Sequence, residues 1–485
     1  MARGAGSAVR ARVVEEAPAS AEDRKKPPVK QDVHKEDAAP KQEAAPSSTP
    51  KPKKQPTVTK GTDLQDVYQP ASQSASLGTL IPKNMAAPIR DALENLREKH
   101  GDIDAFVAKE LGYKDAAELA GRFAGEQVDA IALAIDNMSR GAGFITGDQT
   151  GIGKGRVNAA IIRWAKRNGK TPVFVTMKPE LYADMLRDLN DIGETGFNPL
   201  PTNKLRGKNA IALPDGGKLE SPSNLDKVIA KAISQGKLEG FDGIFTTYSQ
   251  LAPSNGKDSP RRELLRSLNE NTVLILDESH NAGGSDKGKY KKKDAAKSTG
   301  SFLRERIAES PNGVFYSSAT YAKRPDVMSL YAKTDMQHAV EDLDQLTEIM
   351  SRGGIPMQQA VATMLTQAGQ YIRREKSFEG ATVDTVPAPV DMKVAERTAG
   401  IMGRIMAFDT AREGDIKNIE KQLAGSGEAV LADGSIGKQG MHSTGFSSIM
   451  HNLIGQYTLS MKADAAVEAA AKAVERGEKP VITVA

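Results

Sequence analysis

The sequence predicts an α/β protein: a parallel sheet with helices on both faces. Three observations point there. Five short runs, at 142–146, 172–176, 243–247, 273–276 and 313–317, are apolar or β-rich without the in–out alternation of a half-exposed strand. Helix-compatible stretches separate several of them, as connections between parallel strands require. A glycine-rich stretch lies between the first run and a helical pattern, the order in which a strand feeds a helix through a tight turn.

Taken in order, residues 1–60 hold 8 of the 25 prolines and carry 13 basic against 8 acidic side chains. Such a stretch lacks the apolar surface to offset its ordering entropy and is expected to be a disordered basic tail. The remainder is balanced, at 53 basic against 54 acidic, so the net charge of +4 reports the tail and not a nucleic-acid-binding body. Residues 61–125 read as a helical preface. Order begins near Tyr68, and Pro82 and Pro88 flank the entry to a pattern at Ile89, Leu93 and Leu96. A second face follows at Ile103, Phe106, Val107 and Leu111.

Residues 126–340 form the expected α/β lobe. Residues 341–474 return to helical periodicity, around Leu343, Leu346, Ile349 and Met350, then Ala360, Val361, Met364 and Leu365. A Gly-rich loop is expected over 424–440, and an Ala-rich helix over 462–476 that stops at Gly477. Within 475–485, Val481-Ile482-Thr483-Val484 reads as a buried strand, the first of a second α/β lobe that the chain would not complete.

Composition removes several chemistries. With no cysteine there are no disulfides, thiolate zinc sites, iron–sulfur clusters or cysteine nucleophiles, which fits a reducing cytoplasm. No run approaches the ~18 apolar residues of a membrane span, and residues 1–20 lack the apolar core of a secretory signal.

The strongest local signal is Gly147-Asp148-Gln149-Thr150-Gly151-Ile152-Gly153-Lys154-Gly155-Arg156, placed after Phe144-Ile145 and before a helical pattern at Val157, Ala160, Ile161 and Trp164. Glycines let backbone N–H groups close on an anion, the helix N-terminus adds positive potential, and Lys154 reaches the β- and γ-phosphates. A Ser or Thr that ligates magnesium normally follows the lysine, and here Gly155 stands instead. The plain alternative is a glycine turn with a solvated lysine. Val273-Leu274-Ile275-Leu276-Asp277-Glu278-Ser279-His280 weighs against it, because an apolar strand ends there in two adjacent carboxylates. Parallel sheets bind ligands at their strand C-termini. In that place Asp277 is expected to hold Mg2+ and Glu278 to orient and deprotonate the attacking water. Val314-Phe315-Tyr316-Ser317-Ser318-Ala319-Thr320 is a third strand, ending in small hydroxyl residues; alone it reads as an ordinary strand end.

In order, Thr-Gly-Ile-Gly-Lys, Asp-Glu-Ser-His and Ser-Ala-Thr resemble motifs I, II and III of superfamily-two helicases and translocases. The resemblance implies a RecA-like P-loop NTPase lobe, with ATP and Mg2+ as its ligands. It places Gln127 where an adenine-reading glutamine often stands, matches Tyr248 to a T-Y-x-x-L segment, and gives Ser318, Ala319 and Thr320 a role in coupling nucleotide state to DNA grip. The glycine after the lysine is how the Strawberry notch family writes its first motif. Asp188-Leu189-Asn190-Asp191-Ile192-Gly193, Arg352-Gly353-Gly354 and Tyr371-Ile372-Arg373-Arg374-Glu375 with Ser377-Phe378 are similar to that family too. The bacterial and phage branch, with its DarB-type antirestriction proteins, implies a possible antirestriction role, methyltransferase or phage-head partners and virion packaging. No methyltransferase motif of the Asn-Pro-Pro-Tyr kind occurs in this chain.

After the carboxylate pair, Lys287, Lys289, Lys291, Lys292 and Lys293 surround Tyr290. They are candidates for gripping a phosphate backbone, with stacking on the ring, or else form a solvated loop. The resemblance favours double-stranded DNA as the track. It also puts the arginine finger on the second lobe, so the chain by itself is expected to bind ATP–Mg2+ weakly and turn it over slowly or not at all. The rival class is a non-hydrolysing nucleotide-binding scaffold.

Overall fold

The computed structural model describes residues 63–253, 257–282, 298–319, 325–338, 343–377, 388, 391–425 and 446–482. The chain divides into two units, 1–55 and 56–485. The tail expected over 1–60, the lysine-rich run at 287–293 and Thr320 lie outside the described residues.

The body opens with a strand pair where only helices were expected. β1 (Gln65–Val67) runs antiparallel to β2 (Thr79–Pro82). α1 (Lys83–His100) then buries Ile89, Leu93 and Leu96, the anticipated face. α2 (Ile103–Leu111) starts at Asp102, whose carboxylate accepts from the Ala105 N–H, and α3 (Ala116–Ala120) starts the same way at Asp115. α4 (Gly125–Ser139) is apolar on nearly every side and is buried accordingly.

The central layer follows: β3 (Gly143–Thr146), α5 (Lys154–Arg167), β4 (Thr171–Thr176), α6 (Leu181–Asp191) and β5 (Pro199–Pro201). A small hairpin, β6 (Ile211–Ala212) with β7 (Lys218–Leu219), precedes α7 (Leu225–Gln235). Then come β8 (Gly243–Thr247), α8 (Pro260–Ser267), β9 (Thr272–Asp277), α9 (Thr299–Glu309) and β10 (Val314–Ser317). α10 (Leu343–Gln367) is broken at Gly354, and β11 (Tyr371–Ile372) and β12 (Glu375–Lys376) follow it. α11 (Met392–Gly425) and α12 (Phe446–Glu475) end the described chain.

All five expected strands form. They lie in a parallel sheet ordered β11-β3-β10-β9-β4-β8-β5. The interior strands are buried along almost their whole length, which is why their sequences do not alternate. Pro199 and Pro201 are tolerated because β5 is an edge.

Three expectations are corrected. The sheet takes its other edge from Tyr371–Ile372, inside the segment 341–474 read as helix and loop, and β12 returns to pair with β2. A two-residue strand is too short to show a period, so no pattern marks it in the sequence. The last helix starts at Phe446, well before 462. Val481 and Ile482 form no strand and are exposed, because no described strand lies beside them to complete a ladder. Residues 483–485 and 426–445, the latter holding most of the expected Gly-rich loop, lie outside the described residues.

Candidate active site

Register sets the site. Ser317 on β10 pairs with Thr146 on β3 and with Asp277 on β9, so three strands end level with one another. Beyond Thr146 comes the glycine-rich turn, beyond Ser317 comes Ser318, and beyond Asp277 comes Glu278. One register line thus brings the three motifs together at the C-terminal edge of a parallel sheet.

The turn is stitched from both sides. Gly147 N–H donates to Ile372 O at 2.7 Å and Gln149 N–H to Arg374 O at 2.8 Å, which continues the β3–β11 ladder into the loop. Gly151 and Gly153 adopt φ of 94° and 92°, a conformation that a side chain would strain. Gln127 on α4 donates through Nε2 to Ile152 O at 2.9 Å and accepts from Ala124 N–H at 3.1 Å. In this conformation its amide braces the loop with one Nε2 hydrogen and one Oε1 lone pair, which leaves the second of each for a base. Thr150 and Gly151 are exposed at the tip, and Ile152 is buried. Lys154 heads α5 and donates from Nζ to Asp148 O at 2.8 Å. Arg156 is turned away to Arg122 O and Asp191, both at 3.1 Å, so it does not join the loop's anion-facing donors as expected.

Beneath the loop lies a buried ion pair that local motif reading did not assign. Arg374 and Asp148 have side-chain exposures of 0% and 1%. The guanidinium donates to Asp148 from Nε at 3.1 Å and from Nη2 at 2.6 Å, and from Nη1 to Glu126 O. It also stacks 4.9 Å from the centre of the Tyr68 ring. Such forked contacts fix orientation as well as distance. In the sequence the two charges stand 226 residues apart in a glycine-rich turn and a charged run, and only the fold pairs them.

Asp277 accepts from Asn158 Nδ2 at 3.2 Å and from Thr176 Oγ1 at 2.9 Å, and Tyr248 Oη donates to its carbonyl at 2.8 Å. Burial raises its pKa and the neighbouring Glu278 adds to the rise, while the bonds from Thr176 and Asn158 oppose it. Three buried oxygens nearby in the fold, Thr146 Oγ1, Ser317 Oγ and Asn158 Oδ1, have no hydrogen-bond partner among the described residues. A carboxylate with uncommitted hard oxygens on the same strand ends and on α5 fits Mg2+. That ion is usually held by one or two carboxylates plus waters and phosphates.

Glu278 has φ of 46°, the only positive value for a non-glycine among the described residues. That backbone costs on the order of 1–2 kcal/mol. It follows directly on β9, where the chain leaves the sheet. His280 Nδ1 lies 2.8 Å from Ser318 Oγ and 3.3 Å from Glu278 Oε2, and Ser318 N–H donates to Thr146 O at 3.0 Å. Ser318 therefore touches both the carboxylate turn and the strand that launches the phosphate loop. Ala319 is next in the chain and half-buried.

A phosphate loop and an acidic strand end separated by a single strand, tied by a His–Ser contact, define a P-loop nucleoside-triphosphate hydrolase of the helicase type. The chain belongs to the family described as P-loop containing NTP hydrolase pore-1, whose model matches residues 112–397. It is 27% identical over 273 residues to Protein FORGETTER 1 of Arabidopsis thaliana, covering 52% of this chain and 18% of that protein. It is 30% identical over 257 residues to Protein strawberry notch homolog 1 of Gallus gallus, covering 50% and 18%. The matched part thus spans less than a fifth of these relatives. The likeness to Strawberry notch proteins is borne out, here through eukaryotic relatives. Among solved structures, the Sulfolobus solfataricus SWI2/SNF2 ATPase core in complex with dsDNA aligns with 15% identity and a TM-score of 0.34, over 70% of this chain and 64% of that one.

Proposed function

We propose that this chain binds ATP with Mg2+ and hydrolyses it as the ATPase lobe of a DNA-tracking motor. The observation that carries the reading is the register line Thr146–Ser317–Asp277, which sets loop, coupling serine and acidic pair side by side. Lys154 and the loop amides take the phosphates, and Asp277 would hold Mg2+, which when bound would supply neutralisation of the charge on the phosphoryl group. Glu278, directed by its left-handed backbone, orients the attacking water and accepts its proton. His280 and Ser318 relay the state of this site to Thr146 and the loop. DNA as the track comes from the helicase-type motif order, and duplex DNA from the Strawberry notch resemblance.

The test is nucleotide binding and ATP hydrolysis with and without duplex DNA, with Glu278→Gln alongside. The expected result is turnover that is slow in this chain alone, is raised by duplex DNA and falls about 10²–10⁴-fold in Glu278→Gln while nucleotide binding persists. Binding without turnover in either protein would favour a scaffold, and no nucleotide binding at all would overturn the site.

A further inference from the structure

A second lysine stands at the phosphate loop. Residues 370–376 run along 145–149 as a strap: Ile145 N–H donates to Gln370 O, Gly147 N–H to Ile372 O and Gln149 N–H to Arg374 O, all at 2.7–2.8 Å. At the end of the strap Lys376 N–H donates to Gln149 Oε1 at 2.8 Å, while β12 pairs Lys376 with Thr79. The Lys376 backbone is therefore held to the loop on one side and to β2 on the other. Its side chain extends over the loop tip, where a Cβ built on Gly151 would lie 3.8 Å from Cε and 3.9 Å from Nζ.

Among the described residues this cation is unpaired. Neighbouring surface cations find carboxylates, Arg373 with Glu375 and Arg156 with Asp191. Among the described residues Lys376 has no ion pair, although Glu375 is adjacent in sequence. The amides of Thr150, Gly151 and Gly153 likewise have no partner among the described residues. A pinned, exposed, unpaired ammonium beside a turn of open N–H groups is complementary to an anion that the turn itself would hold.

We propose that Lys376 is a second phosphate-binding lysine, closing on the polyphosphate of a bound nucleotide from the side of the loop opposite α5. This deepens the nucleotide-site reading and rests on it. Lys154 meets the polyphosphate from the helix, and the strap brings Lys376 to it from β12. The strap's buried Arg374, forked onto Asp148, fastens the strap to the loop whose Asp148 carbonyl accepts from Lys154.

The test uses fluorescent ADP and ATP analogues with Mg2+, and inorganic tripolyphosphate as competitor, on wild type, Lys376→Ala, Lys376→Arg and Lys114→Ala. Lys114 is an exposed lysine that serves as the charge control. The expected result is about fivefold to tenfold weaker binding of both nucleotides and of tripolyphosphate in Lys376→Ala. Lys376→Arg should be largely restored, and Lys114→Ala unchanged. Lys376 is exposed and its structural bonds are made by the backbone, so the variants keep the fold, which circular dichroism checks. Equal affinities in wild type and Lys376→Ala overturn the proposal. So does a loss seen with nucleotides but not with tripolyphosphate, which would put the lysine on the nucleoside. If wild type itself binds none of the three ligands, the nucleotide-site reading fails first.

Discussion

The carboxylate of Asp188 occupies the space where a side chain on Gly155 would stand: a Cβ built there would lie 2.0 Å from Asp188 Oδ2. Gly155 is the residue that breaks the usual phosphate-loop pattern, in which a hydroxyl follows the lysine. The two departures explain each other. α6 packs against the start of α5 and delivers Asp188, whose Oδ1 is held by Arg187 at 3.2 Å, into the first turn. Burial raises the pKa of Asp188 and Arg187 opposes the rise. A negative group also sits favourably beside a helix N-terminus.

Restoring the ordinary pattern is therefore expected to damage this protein. Gly155→Ser forces a hydroxymethyl group into Asp188 and should cost about 1–3 kcal/mol by overpacking, with weaker nucleotide binding. Adding Asp188→Ala opens the space, so the double variant should be more stable than the sum of the two single changes predicts. Urea unfolding of the four proteins measures this. Strict additivity would show that the carboxylate moves aside freely.

Arg374 and Asp148 should be worth far more to the fold than the exposed pairs. Removing Arg374 leaves Asp148 charged and buried, so Arg374→Ala is expected to lose roughly 3–5 kcal/mol. Arg352 with Glu348, by contrast, is exposed on both sides, and breaking it should cost no more than about 1 kcal/mol. Asp148→Asn added to Arg374→Ala removes the stranded charge and should recover part of the loss. Denaturant midpoints for the two single variants and the double decide it. A cost for Arg374→Ala as small as that at Arg352 would refute the claim that the pair braces the loop.

What the sequence disclosed depended on how far apart the partners are. Strands β3, β4, β8, β9 and β10 could be read because full burial leaves an unbroken apolar run in a single window. Lys154, Asp277 and Glu278 could be read because the lysine follows a glycine-rich turn and heads a helix, and the carboxylates close an apolar strand, each a local pattern. Asp188 beside Gly155, Arg374 on Asp148 and Asn158 against Asp277 could not, because only the packing of α5, α6 and β11 brings them together. Asn158 left a weak trace, being an amide on the otherwise apolar buried face of α5. Gln127 shows the opposite case: the position was identified, but its role in this conformation is set by the loop it holds.

The last prediction concerns the network above that pair. Asp129 accepts from Tyr68 Oη at 2.7 Å and from the Ala71 and Ser72 N–H groups at 2.9 and 3.0 Å, and burial raises its pKa from 3.8 to about 6. The bonds from Tyr68 and the two amides, with Arg374 nearby, hold the rise to that value. Because the folded pKa lies above the unfolded one, the folded state binds the proton more tightly between those limits. The group's contribution to stability is then full below about 4 and is lost as pH rises through about 6, on the order of 2–3 kcal/mol in all. Asp129→Asn does not titrate, so wild-type stability minus variant stability should fall between pH 4 and 6 and stay level above pH 7. Parallel urea titrations across that range measure the slope. A difference that instead grows with pH would mean that Tyr68, the two amides and Arg374 outweigh burial and hold Asp129 below its ordinary value.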